Sequence, residues 1–154
     1  MNRVLVIGYG NPLRQDDAIG RCAAKLVEQG LKNGEAEVVE CHQLAPELAA
    51  KLENASLVLF LDAAADEPAG RIRFQPLRPR GSGAWTHHLL PQQLLGLARQ
   101  CNGGSPSAFL ISGGTAQLEL GEGLSGSAEQ CAARIAALAL CIIGSEQIVG
   151  DEPS

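Results

Sequence analysis

Aromatic residues are nearly missing from this sequence: three Phe, one Trp and one Tyr make up 3% of the chain. The core must be aliphatic, and few rings exist to stack on nucleic-acid bases. A surplus of cations is absent too. Lys and Arg number 12 against 17 Asp and Glu, a net charge of -5. A phosphate-binding surface needs clustered positive charge, so nucleic acid is not an expected partner. Long apolar runs are lacking: the longest, Ile135 to Ile143, falls far short of the ~20 residues that cross a bilayer. No membrane span is expected. Val4-Leu5-Val6-Ile7 follows one Arg and enters Gly8 at once, which reads as a strand and not as a signal peptide. The five cysteines (Cys22, Cys41, Cys101, Cys131 and Cys141) are odd in number and scattered, with no C-x-x-C pair. This argues against a disulfide scaffold and a thiolate zinc site, and for a cytoplasmic setting. A G-x-S-x-G elbow, a P-loop and an H-E-x-x-H helix are all missing, which removes three common routes to catalysis.

What is present is a globular balance, 45% hydrophobic and 19% charged over 154 residues. That length suits one domain, expected over residues 1–150 with a frayed tail at 151–154. Strand-length apolar runs alternate with stretches of helical period. Strands are expected at Val4–Ile7, Ala36–Cys41, Leu57–Leu61, Arg71–Phe74 (a half-exposed edge) and Ala108–Ser112. Helices are expected from Asp17 to about Gln29, with Ile19, Cys22, Ala23, Leu26 and Val27 on one face, from Pro46 to Leu52, from Pro91 to about Gln100, and from Ser125 to Ile143. This alternation predicts a three-layer α/β/α fold, a mostly parallel twisted sheet of about five strands with helices on both faces. In the flavodoxin-like order 2-1-3-4-5, ligands sit beyond the carboxyl ends of strands 1 and 3.

Candidate chemistry falls at that rim. Asp17 follows the loop after the first strand and Asp62 ends the third, so neighbouring strands ~4.8 Å apart would bring the carboxylates together. Plainer readings stand beside this one: Asp16 and Asp17 as helix caps, and Asp62 as a cap or tie for Ala63–Asp66. Histidine is scarce, with only His42, His87 and His88, the last two in a Gly-flanked loop. Two carboxylates and an imidazole would make an open set for Ni²⁺, Zn²⁺ or Fe²⁺. Gly8-Tyr9-Gly10-Asn11-Pro12 is a poor dinucleotide loop: Leu13 replaces the third glycine, and Asp16 and Asp17 would repel a pyrophosphate. Glu40 stands where a ribose-binding acid would, which keeps a nucleotide-binding domain as a minority reading. Ser112-Gly113-Gly114-Thr115 reads as a glycine turn in preference to an anion nest. Arg71, Arg73, Arg78 and Arg80 read as a solvated edge before a site for an acidic partner.

The stretch Val4 to Gly20, VLVIGYGNPLRQDDAIG, closely resembles the opening of the hydrogenase maturation endopeptidases: a strand, G-x-G-N-x-L, two residues, then D-[DE]-[GA]-x-G. Leu59-Phe60-Leu61-Asp62-Ala63 resembles that family's second block, Thr86-His87-His88-Leu89-Leu90-Pro91 its third, and Leu118 to Ser125 its late E-L-G-x-G-L-S block. The resemblance implies an aspartic-type endopeptidase that recognises nickel in the precursor large subunit of a nickel–iron hydrogenase and removes its C-terminal extension. It implies nickel contacts at Asp17, Asp62 and His87; Asp17 and Asp62 are the candidate catalytic residues, with either the ion polarising the carbonyl or a water or a carboxylate serving as general base. The nickel would arrive with the substrate, and no tightly bound cofactor is expected. His87 is chosen over His88 because it keeps the spacing to Pro91, although Leu90 replaces the family's serine. Gly8, Gly10 and Asn11 are expected to let the substrate chain approach. A non-cleaving, nickel-dependent assembly factor is the alternative of another class.

Overall fold

The computed structural model describes residues 3–32, 34–81 and 89–150, apart from the side chains of 102 and 148–150. Five strands form one sheet: β1 (Val4–Tyr9), β2 (Ala36–Cys41), β3 (Leu57–Ala64), β4 (Ile72–Leu77) and β5 (Ser107–Gly114). Their spatial order is β2-β1-β3-β5-β4. The β1–β2, β1–β3 and β3–β5 pairs are parallel, and β4 runs antiparallel to β5. The sheet is therefore the mostly parallel one expected, with the last two strands exchanged. The cause is the β3–β4 connection. Residues 65–71 are too few for the dozen or so that a parallel crossover takes, so β4 turns back at the edge and leaves its inner place to β5. This connection crosses the end of β5, where Gly114 N–H donates to Arg71 O (2.8 Å) and Gly70 N–H to Gly114 O (3.3 Å). A Cβ at Gly114 would strike the Pro68 carbonyl, so Ser112–Gly114 belong to a closely crossed strand and form no glycine turn.

Helices cover both faces. Residues Leu5, Ile7, Val58, Phe60 and Ala108 point to one side, where they meet α2 (Ala49–Leu52) and α3 (Pro91–Asn102). Val4, Val6, Leu57, Leu59, Leu61 and Ile111 point to the other, against α1 (Ile19–Gly30) and α4 (Gly126–Gly150). This is the period-two alternation of strands buried on both faces. The buried stripe of α1 is Ile19, Gly20, Ala23, Ala24 and Val27. Cys22 is only partly buried and Leu26 is exposed, so the stripe is narrower and smaller-sided than the periodicity predicts. Helix α4 is long and apolar enough to cross a membrane by length and composition. Here Ala128, Cys131, Ala132, Ile135, Ala136, Ala139 and Ile143 bury one face of it in the core. Residues 151–154, expected to fray, lie outside the described residues.

Candidate active site

Asp62 does not end its strand. β3 continues to Ala64 because β5 continues beside it, pairing Asp62 with Ser112, Ala63 with Gly113 and Ala64 with Gly114. No helix follows, so Asp62 caps none. The alternation puts it on the α2/α3 side, above Phe60 and one step past the Gly8–Leu61 pair of β1 and β3. Its Oδ1 accepts a 2.7 Å hydrogen bond from the Ala63 N–H. Burial pushes the carboxyl up, the Ala63 N–H and the Tyr9 hydroxyl draw it back down, and the Asp17 charge raises it again, leaving Asp62 at about 7. Such a group exchanges its proton near neutrality, as a general acid or base must. The Asp17 charge raises both Asp62 and Tyr9, and β1, whose following loop bears Asp17, lies beside β3.

Asp16 and Asp17 divide the work differently from the capping expected of them. Neither caps α1 or the 3-10 turn Gln15–Ala18 before it. Asp17 Oδ2 accepts from the Asn11 N–H at 2.8 Å, which ties it to the end of β1. Asp16 is wholly buried. Its Oδ2 accepts from the N–H groups of Ala116 (2.8 Å) and Gln117 (3.1 Å) and from the Ser125 hydroxyl (2.8 Å); its Oδ1 accepts from the Ser125 N–H (2.8 Å). Burial alone would raise this carboxyl, but these donors outweigh it and hold it below its ordinary value. The Ser125 hydroxyl also accepts from Ala128 N–H (3.2 Å), capping α4. Asp16 thus clamps the late loop to the loop bearing Asp17. The two loops also pair through Gly121 N–H to Leu13 O (2.9 Å) and Gln15 N–H to Gly121 O (3.2 Å). Gln15 adopts φ 47° there, a left-handed conformation that costs a non-glycine residue ~1–3 kcal/mol.

The glycines have a packing role that spacing did not reveal. A Cβ on Gly8 would enter the Gly20 carbonyl and the Ala24 side chain of α1, and one on Gly10, at φ 150°, would enter the Asp17 carbonyl. Asn11 Oδ1 accepts from Leu13 N–H at 2.9 Å, shaping the turn that presents its N–H to Asp17. Glu40 pairs with Arg21 Nε (3.5 Å) and Lys25 Nζ (3.9 Å), so the acid of the nucleotide reading is engaged within the protein. Arg73 is held by Asp66 (3.1 Å) and Glu67 (3.0 Å), and Arg71 approaches Glu67 (3.9 Å). That commits these two edge arginines internally.

His87 and His88 lie outside the described residues. Among the described residues no group of three His, Cys, Asp or Glu is placed to hold a metal. Leu89 is buried in the α2/α3 core. Pro91 then opens α3, and Gln93 Oε1 accepts from the Leu90 N–H at 2.8 Å, a bond from the helix's third residue that compensates in part for the missing serine. Two residues of the site went unassigned in the sequence. Tyr9 shares the parity of Leu5 and Ile7, and so the face of Asp62; Ser112 is the register partner of Asp62. Strand parity was the signal available for Tyr9, while the exchanged strand order hid Ser112.

This mostly parallel sheet, covered by helices on both faces, is the fold of solved hydrogenase maturation proteases. The nickel–iron hydrogenase maturation protease of Thermococcus kodakarensis superposes with a TM-score of 0.77 at 24% identity, covering 93% of each chain. The hydrogenase 2 maturation peptidase of a thaumarchaeon gives 0.72 at 26% identity, over 93% of this chain and 99% of that one. The hydrogenase maturating endopeptidase of Escherichia coli gives 0.72 at 23%, over 94% and 93%. No protein-family model matches the chain, and no curated protein matches it in sequence. The resemblance in the sequence blocks therefore extends to the fold across nearly the whole chain.

Proposed function

We propose that this chain is a cytoplasmic endopeptidase that removes a C-terminal extension from the precursor large subunit of a nickel–iron hydrogenase, reading the nickel already inserted there. The observation that carries this reading is Asp62, set on inner strand β3 one step past its pairing with Gly8 of β1, with its carboxyl pushed up to about 7 by burial. The solved structures of the same fold, named as hydrogenase maturation proteases, supply the reaction class. Nickel is part of the substrate here. Asp17, Asp62 and His87 are its proposed contacts, and a substrate without nickel would leave two carboxylates facing each other with no cation between them. Asp62 is the proposed general base, taking a proton from the water whose oxygen joins the scissile carbonyl carbon and delivering it to the leaving amide nitrogen. Gly8, Gly10 and Asn11 are proposed to form the floor on which the substrate backbone lies, beside the packing role both glycines have against α1 and the Asp17 loop.

The test is incubation of the purified protein with a nickel-loaded precursor, read by mass spectrometry. Wild type is expected to release the extension, and Asp62→Ala and His87→Ala to lose this activity by roughly 100-fold or more. Full cleavage by both variants would remove the site assignment. Tight binding without any product would favour a non-cleaving assembly factor.

A further inference from the structure

A buried hydroxyl stands beside Asp62 in the sheet. Ser112 is 1% exposed, and its Oγ has no hydrogen-bond partner among the described residues. Interior hydroxyls are normally satisfied, and one left alone is costly. Packing gives no reason for it: the positions before it on the same face of β5 are Ala108 and Leu110, and an alanine at 112 would relieve the cost. The register places Ser112 directly beside Asp62 on the parallel neighbour, so both side chains leave the sheet on one face, from backbones ~4.8 Å apart. Two polar groups so arranged are spanned by a single water making one hydrogen bond to each. At 1% exposure, nothing as large as a peptide reaches the hydroxyl directly.

We propose that Ser112 is a positioning residue that, with Asp62, holds one water molecule at the carboxyl end of β3 and β5, and that this water is the one consumed in peptide hydrolysis. The inference rests on the proposed endopeptidase function for its second half only. Ser112 Oγ–H donates to the water oxygen, and the water donates to the Asp62 carboxylate. The proton then passes to Asp62, the oxygen bonds to the scissile carbonyl carbon, and the carbon–nitrogen bond breaks as Asp62 returns the proton to nitrogen. Atoms and charge balance without a further reactant.

The experiment compares wild type with Ser112→Ala in two ways. In cleavage of nickel-loaded precursor, kcat is expected to fall roughly 100-fold with KM unchanged, while the folded fraction by circular dichroism stays that of wild type, because only one hydroxyl and its bound water are removed. An unchanged kcat overturns the catalytic half, as does a drop in kcat matched by a loss of folded protein. In high-resolution crystals, wild type is expected to show a water within hydrogen-bond distance of Ser112 Oγ and the Asp62 carboxylate, and Ser112→Ala to lack it. Density placing the hydroxyl on a protein atom, or no water there, overturns the proposal whether or not any precursor is cleaved. Failure of wild type to cleave, with the water present, overturns the endopeptidase reading and with it the catalytic half, and leaves the water site standing.

Discussion

At the residue scale, Asp62 and Asp16 are opposites built from one side chain. Asp62 is held at about 7 against an ordinary 3.8, so between those values the folded chain keeps a proton that the unfolded chain has lost. Stability therefore falls as pH rises through that window, by about 4 kcal/mol in all. Asp62→Asn keeps an acceptor for the Ala63 N–H and removes this penalty. The variant should melt several degrees above wild type near pH 8, the gap closing towards about pH 4; calorimetry across pH would show it, and a variant less stable than wild type near pH 8 would refute it. Asp16 has a lowered value, so its contribution is present above 3.8 and is lost as pH falls through its folded value. Asp16→Asn turns an amide N–H₂ towards donors and should cost ~2–4 kcal/mol, measured by urea unfolding at neutral pH. The sequence put Asp62 on an inner strand beside the strand whose loop bears Asp17, as found, although Asp62 lies inside β3 and not at its end. It could not separate Asp16 from Asp17, since the donors that bury Asp16 come from residues 116–125, about a hundred positions away.

Element packing decides how closely α1 lies on the sheet. Gly8 and Gly20 face each other across that contact, and a Cβ on Gly20 would enter the carbonyls of Leu61 and Tyr9. Gly20→Ala should therefore lift the first turn of α1 away from β1 and β3, costing ~1–3 kcal/mol. Because Asp17 lies just before α1, activity should fall further than stability explains, as comparison of kcat with the folded fraction from circular dichroism would show. An activity loss equal to the folded-fraction loss would leave α1 a purely structural role. Helix existence was legible here from period and punctuation: α1 ends at Gly30 and α3 begins at Pro91, as their Gly and Pro residues require. The exchange of β4 and β5 was less accessible. It depends on the length of the 65–71 connection and on the bare backbone of Gly114, and a run of glycines reads as a turn until the chain crossing it is seen.

At the scale of the whole molecule, the proposed chemistry falls where a parallel sheet directs it, beyond the carboxyl ends of β1 and β3. Two aliphatic layers pack against the sheet below that rim, and one clamp at Asp16 binds the loop after β1 to the loop before α4. The fold class followed from strand–helix alternation because a sheet buried on both faces leaves few arrangements. Its reaction did not follow from fold, which hosts many chemistries. It rests on the two coupled aspartates and the ordered blocks around them. The most direct measurement is intact-mass analysis of a hydrogenase large-subunit precursor, prepared with and without nickel and incubated with this protein. The account predicts that the nickel-loaded subunit loses its C-terminal extension in one cut while the nickel-free subunit keeps its full mass. Equal cleavage of both would contradict the nickel reading, and a nickel-loaded subunit left at full mass would contradict the peptidase itself.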